Sequence, residues 1–133
     1  MVTRRDRLLR AEPVPPQRTG GAGALRIYHL ALAGAWREAL RTGTYTASTL
    51  GLDLADVGFI HCAQAQQVAG VHVRFYAGVA DRLLLLEIDT DRLTVPWRLD
   101  DVPGQPDPFP HVYGPLDVAA VVSAEPFRGS ASS

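Results

Sequence analysis

The segment Leu83-Leu84-Leu85-Leu86-Glu87-Ile88 constrains this chain most. It has strand length rather than helix length, and it is apolar at nearly consecutive positions. A strand of that kind must be covered on both faces. The 133-residue chain is therefore expected to build its core around this segment as a buried central strand. Glu87 is the exception within the run and needs either an edge position or an arginine partner.

The flanking sequence supplies the covering layers. Leu25–Ala31 reads as a first strand, with Ile27 and Tyr28 near its centre. A short helix follows over Ala33–Arg41, where Trp36, Ala39 and Leu40 share one face, and Gly43 is its expected left-handed stop. Val57–His61 reads as a second, short strand after a loop over 51–56. A second helix is expected from Ala65 to Ala77, with Val68, Val71, Phe75 and His72 inward, closed by Gly78. Thr94–Leu99 reads as a strand whose Pro96 points to an edge or bulge. Val102–Pro110 is a proline-rich loop long enough to form a lid or rim. Leu116–Ala124 reads as the last strand. The order β-α-β-α-β-β-β predicts one α+β domain over residues 25–127, with mostly antiparallel strands and two helices packed on them.

Residues 1–24 differ from the rest. Four arginines fall in the first ten positions, and Pro13, Pro15, Pro16, Gly20, Gly21 and Gly23 follow. Such a stretch buries too little apolar surface to offset its ordering entropy, so a mobile tail is expected there, with a second flexible tail over 128–133. No apolar run in it matches a signal peptide, and no segment reaches the length of a membrane span.

Charge narrows the partners. The 13 basic residues, all arginine, nearly balance 14 acidic ones, for a net charge of −1. No strong field attracts nucleic acid or an anionic membrane. The absence of lysine excludes Schiff-base and P-loop lysine mechanisms. One cysteine, Cys62, cannot form an internal disulfide. The chain is expected to be cytoplasmic, with a small-molecule partner.

Three of the four histidines have distinctive neighbours: Ile27-Tyr28-His29-Leu30, Gly58-Phe59-Ile60-His61-Cys62, and Phe109-Pro110-His111-Val112-Tyr113-Gly114. Imidazole donates, accepts and titrates near neutrality, so converging histidines describe a site. Strand alternation puts His29 on the side of Ile27 and His61 on the side of Phe59. A histidine among apolar residues needs a hydrogen-bond partner, and Tyr113, Ser48, Thr49 and Gln64 are at hand. The expected result is a mostly apolar cleft with a few polar groups.

Other chemistries fit less well. His29, His61, Cys62 and His111 could be read as a zinc set, but no C-x-x-C or H-E-x-x-H spacing accompanies them, and neighbouring His61 and Cys62 point apart on a strand. No metal is expected. Cys62 as a nucleophile would need a lowered pKa, and a small buried thiol is the simpler reading. Asp89-Thr90-Asp91 reads as a turn with aspartates capping backbone amides. Asp100 and Asp101 precede the proline-rich loop and could reach the cleft. No phosphate-binding glycine loop and no G-x-S-x-G are present.

The early Tyr28-His29 strand, Gly58-Phe59-Ile60-His61-Cys62, Leu85-Leu86-Glu87-Ile88-Asp89 and Phe109-Pro110-His111-x-Tyr113-Gly114-Pro115-Leu116, in that order, resemble a bacterial family defined as a domain of unknown function, number 952. The resemblance runs from about Arg26 to Val122. It implies a fold similar to ADP-ribosyltransferases, a split antiparallel β arrangement with NAD bound in a central cleft. In the diphtheria-toxin type an early-strand histidine holds the NAD ribose and amide, which His29 would match. The tyrosine that stacks on nicotinamide and the late-strand glutamate have no counterpart here. RNA 2′-phosphotransferases share that fold, but their arginine pattern is not evident.

Three functions follow as expectations. The first is an enzyme acting on a nucleotide-like molecule, NAD or ADP-ribose, or on another small metabolite, with His61 or His111 as general acid/base and Tyr113 beside them. His29, Phe59, Cys62, Phe109 and Gly114 would bind the substrate. The second is a specialised-metabolite isomerase, cyclase or lyase that does not use NAD. The third is a non-catalytic binding module.

Overall fold

The computed structural model describes residues 25–49, 52–79 and 82–128. The tails expected over 1–24 and 128–133 lie outside it, apart from Arg128. The elements in order are β1 (Arg26–Leu32), α1 (Ala33–Thr42), β2 (Thr44–Tyr45), α2 (Leu54–Val57), β3 (Ile60–His61), α3 (Val68–Val71), β4 (Leu83–Asp89), β5 (Trp97–Asp100), β6 (Phe109–Val112), β7 (Leu116–Asp117) and β8 (Val121–Phe127). The protein is α+β, with antiparallel pairing throughout its three sheets, ordered β1-β4-β8, β2-β7 and β3-β6-β5.

The leucine run forms the centre of the first sheet, as its composition demands. Leu86 and Ile88 face one apolar cluster with Ile27, Ala31, Trp36, Ile60, Val112 and Leu116. Leu83 faces a second cluster with Leu30, Val68, Val71, Tyr76 and Phe109. Both faces are therefore covered, which is why alternation is absent from this strand and why Leu86 is fully buried. Glu87 pairs with Arg26 at 3.2 Å, on the half-exposed side.

α1 matches its expected span and ends at Gly43 in the left-handed region (φ 96°). Trp36 and Ala39 are buried, but Leu40 is 58% exposed, on the flank rather than the inner face. The strand expected over Val57–His61 shrinks to Ile60–His61. Residues 54–57 instead coil into α2, started by a capping box between Asp53 and Asp56. Gly58 ends it at φ 87°, a conformation costly for any residue with a Cβ.

The second expected helix differs most. Ala65–Gln67 is a 3₁₀ turn, α3 adds a single α turn, and His72–Tyr76 forms a π turn. Hydrogen bonding from i to i+5 inserts one residue per turn relative to an α-helix. The inward position after Val71 accordingly passes from Phe75 to Tyr76. Tyr76 is buried, whereas Phe75 is 40% exposed. Gly78 sits in the following turn and is not left-handed. His72 is half-buried, its ring edge-on to Phe127.

At the C-terminal end, the strand expected over Leu116–Ala124 is split. β7 pairs with β2, Val118–Ala120 makes a 3₁₀ turn begun by the Asp117 side chain, and β8 then joins β4. Neither β2 nor β6 is among the strands expected from the sequence. β5 begins after Pro96 and is an edge strand. The proline-rich loop runs over 101–108, because Phe109 and Pro110 belong to β6. Gln64 and Gln67 side chains both donate to the Pro108 carbonyl, at 2.8 and 2.9 Å, and hold the loop's end in place. Among the described residues no helix is long and apolar enough to cross a membrane.

Candidate functional site

The sheet β3-β6-β5 has two chemically different faces. Its pairing places His61 opposite His111 and Arg98 also opposite His111. Alternation then sends Ile60 and Val112 into the core and collects His61, His111, Phe109, Arg98 and Asp100 on the other face. Phe59 and Tyr113 flank the strand ends, two residues from His61 and His111.

Direct pairing across strands brings side chains within contact distance. His61 Nδ1 lies 3.0 Å from His111 Nε2. His111 Nδ1 lies 2.8 Å from Asp100 Oδ2. The Tyr113 hydroxyl donates to the same Asp100 oxygen. Arg98 Nε donates to Asp100 Oδ1 at 2.9 Å, and another Arg98 nitrogen donates to the Tyr113 hydroxyl at 3.0 Å. Phe59 stacks on His111, ring centroids 4.0 Å apart, and Phe109 stacks on His61 at 5.1 Å.

Proton positions follow from the chemistry of the acceptors. Burial opposes ionisation of Asp100, but hydrogen bonds from His111, Tyr113 and Arg98 together outweigh it and bring the carboxyl down to about 2. As a carboxylate, Asp100 can only accept, so His111 carries a proton on Nδ1, and in the neutral ring this leaves a lone pair at Nε2. His61 must then donate from Nδ1, which leaves the lone pair of His61 on Nε2. That atom is shielded from solvent and has no hydrogen-bond partner among the described residues. Burial, followed by the neighbouring His111, His29 and Arg74, lowers the His61 pKa to about 4, which keeps the ring neutral. Tyr113 is pushed the other way, up to about 12, by burial and by its bond to Asp100.

His29 is 3% exposed and faces the core side of β1 with Ile27. Its Nδ1 lies 2.6 Å from the His61 carbonyl and its Nε2 lies 2.9 Å from the Tyr45 hydroxyl. A carbonyl only accepts, so Nδ1 carries the proton and Tyr45 donates to Nε2. Both ring nitrogens are engaged inside the fold, and burial lowers the pKa of this ring to about 4. His29 thus ties β1 to β3 and positions the His61 backbone. The Ser48 hydroxyl accepts from His61 N–H at 3.1 Å on the other side.

Cys62 is 1% exposed, its thiol directed at the Ile60 carbonyl and pushed up by burial. Among the described residues no group of three or more His, Cys, Asp and Glu side chains has the geometry of a metal site. A Cβ on Gly114 would sit 2.7 Å from Val95 Cγ1, so glycine permits the close approach of two chain segments there.

Of the residues singled out in the sequence, His61, His111, Phe59, Phe109 and Tyr113 converge. His29 and Cys62 stand behind them, and Gly114 packs against Val95. Arg98, Tyr45 and Phe75 were not singled out as site residues. Arg98-x-Asp100 spacing on a strand was the available signal for Arg98, since it places both on one face. Tyr45 and Phe75 had none, because a two-residue strand and a π turn decide their positions.

The family described as protein of unknown function (DUF952) matches residues 30–124. That span contains every member of the Asp100–His111–His61 chain. No curated protein matches the sequence. Among solved structures the chain is similar to protein CC0527 from Caulobacter crescentus, with a TM-score of 0.66 and 28% identity over 77% of this chain and 86% of that chain. A double mutant of that protein is similar to the same extent, with a TM-score of 0.66 and 27% identity.

Proposed function

This chain belongs to the DUF952 family, and from its histidine relay we propose that it is an enzyme that moves a proton on a small metabolite by general acid/base chemistry. His61 Nε2 is the atom that meets the substrate. When it takes a substrate proton, the Nδ1 proton of His61 passes to His111 Nε2, and the resulting imidazolium faces the Asp100 carboxylate. The reverse sequence returns a proton to the product. The observation that carries this reading is the buried, unpartnered His61 Nε2 at the end of a hydrogen-bonded chain. Reaching it requires a side-chain movement, and the exposed Phe75, edge-on to His61 at 6.3 Å, is the neighbour with room to move.

An ADP-ribosyltransferase-like arrangement with NAD or ADP-ribose as substrate belongs to this proposal, supported by antiparallel strands divided among separate sheets. A reaction without NAD is favoured by a different observation. Both Asp100 oxygens are occupied by His111, Tyr113 and Arg98, so the site's carboxylate serves the relay rather than a ribose or a nucleophile. Thermal unfolding with NAD, ADP-ribose and nicotinamide, with nicotinamide release measured on the same samples, tests both. A ligand near a hundred times its Kd adds about 2.7 kcal/mol of stability. Stabilisation by NAD with release that His61→Gln abolishes supports the NAD enzyme. Stabilisation without release, unaffected by His61→Gln, sinks the catalytic reading in favour of a binding module.

A further inference from the structure

We propose that Arg74 makes the mouth of the His61 site an oxyanion-binding position, so that the substrate carries a phosphate or carboxylate group beside the atom that exchanges its proton. The proposal rests on the relay reading of His61 and adds the class of molecule that it takes.

Three observations converge. First, the Arg74 guanidinium lies 4.9 Å from the Phe75 ring centroid and 5.9 Å from that of Phe109. Those are the same two rings that pack against His61, at 6.3 and 5.1 Å. Arg74 is therefore held over the aromatic surround of His61 by cation–π contact. Second, its charge is close enough to disfavour protonation of His61. Third, among the described residues no carboxylate pairs with Arg74; Arg37, Arg82 and Arg128 also lack one, but of these four only Arg74 is held by aromatic rings. A guanidinium held in place yet retaining its planar set of donors is suited to a bidentate oxyanion.

The π turn makes this arrangement. In a continuous α-helix Phe75 would follow Val71 into the core. The extra residue of His72–Tyr76 gives that place to Tyr76 and leaves Arg74 and Phe75 exposed at the site. An oxyanion bound there would also change the relay. It offsets the Arg74 charge and raises the affinity of His61 for a proton, so the base strengthens when substrate is seated.

The test is nitrogen-15 NMR of the histidine rings, with pyrophosphate and acetate titrated separately into the wild type and Arg74→Gln, and with Arg41→Gln as a distant control. The expected result is saturable movement of the His61 ring signals with at least one probe, an upward shift of its titration midpoint, and about a tenfold or greater loss of affinity in Arg74→Gln alone. Pyrophosphate as the effective probe identifies a phosphorylated substrate, and acetate a carboxylate. No saturable response to either, or an equal response in Arg74→Gln, overturns the proposal. The spectrum without probe reports separately on the relay: a proton on His61 Nε2 rather than Nδ1 at neutral pH defeats the relay reading whatever the probes do.

Discussion

His61 and His111 face each other across β3 and β6, with Nδ1 of one ring 3.0 Å from Nε2 of the other. A single proton occupies that contact. If both rings were charged, two N–H groups would point at each other across that contact. Asp100 decides which way the pair is polarised, because its carboxylate holds the His111 proton on the far nitrogen.

That polarity is open to measurement. At neutral pH both rings are expected as the Nδ1–H tautomer, each giving a distinct pattern in long-range proton–nitrogen correlation spectra. Asp100→Asn removes the charge and one acceptor, so mixed tautomers are expected at His111 and His61. Under the acid/base function proposed above, the accompanying loss of turnover is about 10²- to 10⁴-fold, the usual contribution of a positioned acid/base group. Unchanged tautomers in Asp100→Asn would assign the polarity to something else.

Acid stability follows from the buried rings. His29 falls from 6.5 to about 4 through burial, and His61 likewise to about 4. The unfolded chain therefore binds more protons than the folded one between these values. Their contribution is complete above pH 6.5 and is lost progressively as pH falls towards 4, about 3 kcal/mol for His29 alone. Asp100, at about 2 against 3.8 unfolded, holds its contribution until pH falls below about 4. Urea midpoints measured from pH 8 to pH 4 should decline below 6.5. A flat profile over that range would mean that these rings are not buried neutral.

Tyr45→Phe leaves His29 Nε2 without its donor. A buried acceptor stranded in this way costs about 1–3 kcal/mol. The urea midpoint should fall with an unchanged slope, and the His61 ring signals should move as well, since His29 also holds the His61 carbonyl.

Gly114→Ala places a methyl 2.7 Å from Val95 Cγ1 and 2.9 Å from Val95 Cβ. Overpacking of that kind costs about 1–3 kcal/mol. Val95→Ala removes both methyl groups, including Cγ1 at 2.7 Å, but keeps the Cβ at 2.9 Å, so the double variant should regain part of the loss when compared with Val95→Ala alone. Additive effects in this cycle would dissociate Gly114 from Val95.

Much of the fold was legible because it rests on local signals. The unbroken apolar run of β4, the Trp36–Ala39 face of α1 and the left-handed stop at Gly43 each depend on side-chain period or on one residue's backbone freedom. Asp53 and Asp56 also carried a local signal, a capping box, and it turned residues expected to be loop and strand into α2. The π turn at His72–Tyr76 had no such mark. Val68 and Val71 fit an α-helix as well as a π turn, and only the space beneath β1 and β4 selects Tyr76 over Phe75 as the buried ring.

The same division runs through the site. The sequence by itself determined that three histidines would lie at strand ends or in ordered loops beside aromatic residues, and that Phe59 would share a side with His61. It marked no strand for His111, which lies in β6. Which histidines meet was a matter of register, and register depends on partners fifty residues apart. Tertiary pairing put His61 against His111 and Asp100 behind it. It turned His29 inward, where a carbonyl and Tyr45 consume both of its nitrogens. Local sequence sets which face of a strand a side chain occupies, because alternation is a property of the backbone. What that side chain touches is set by the strand laid beside it, and long-range burial of the core makes that choice.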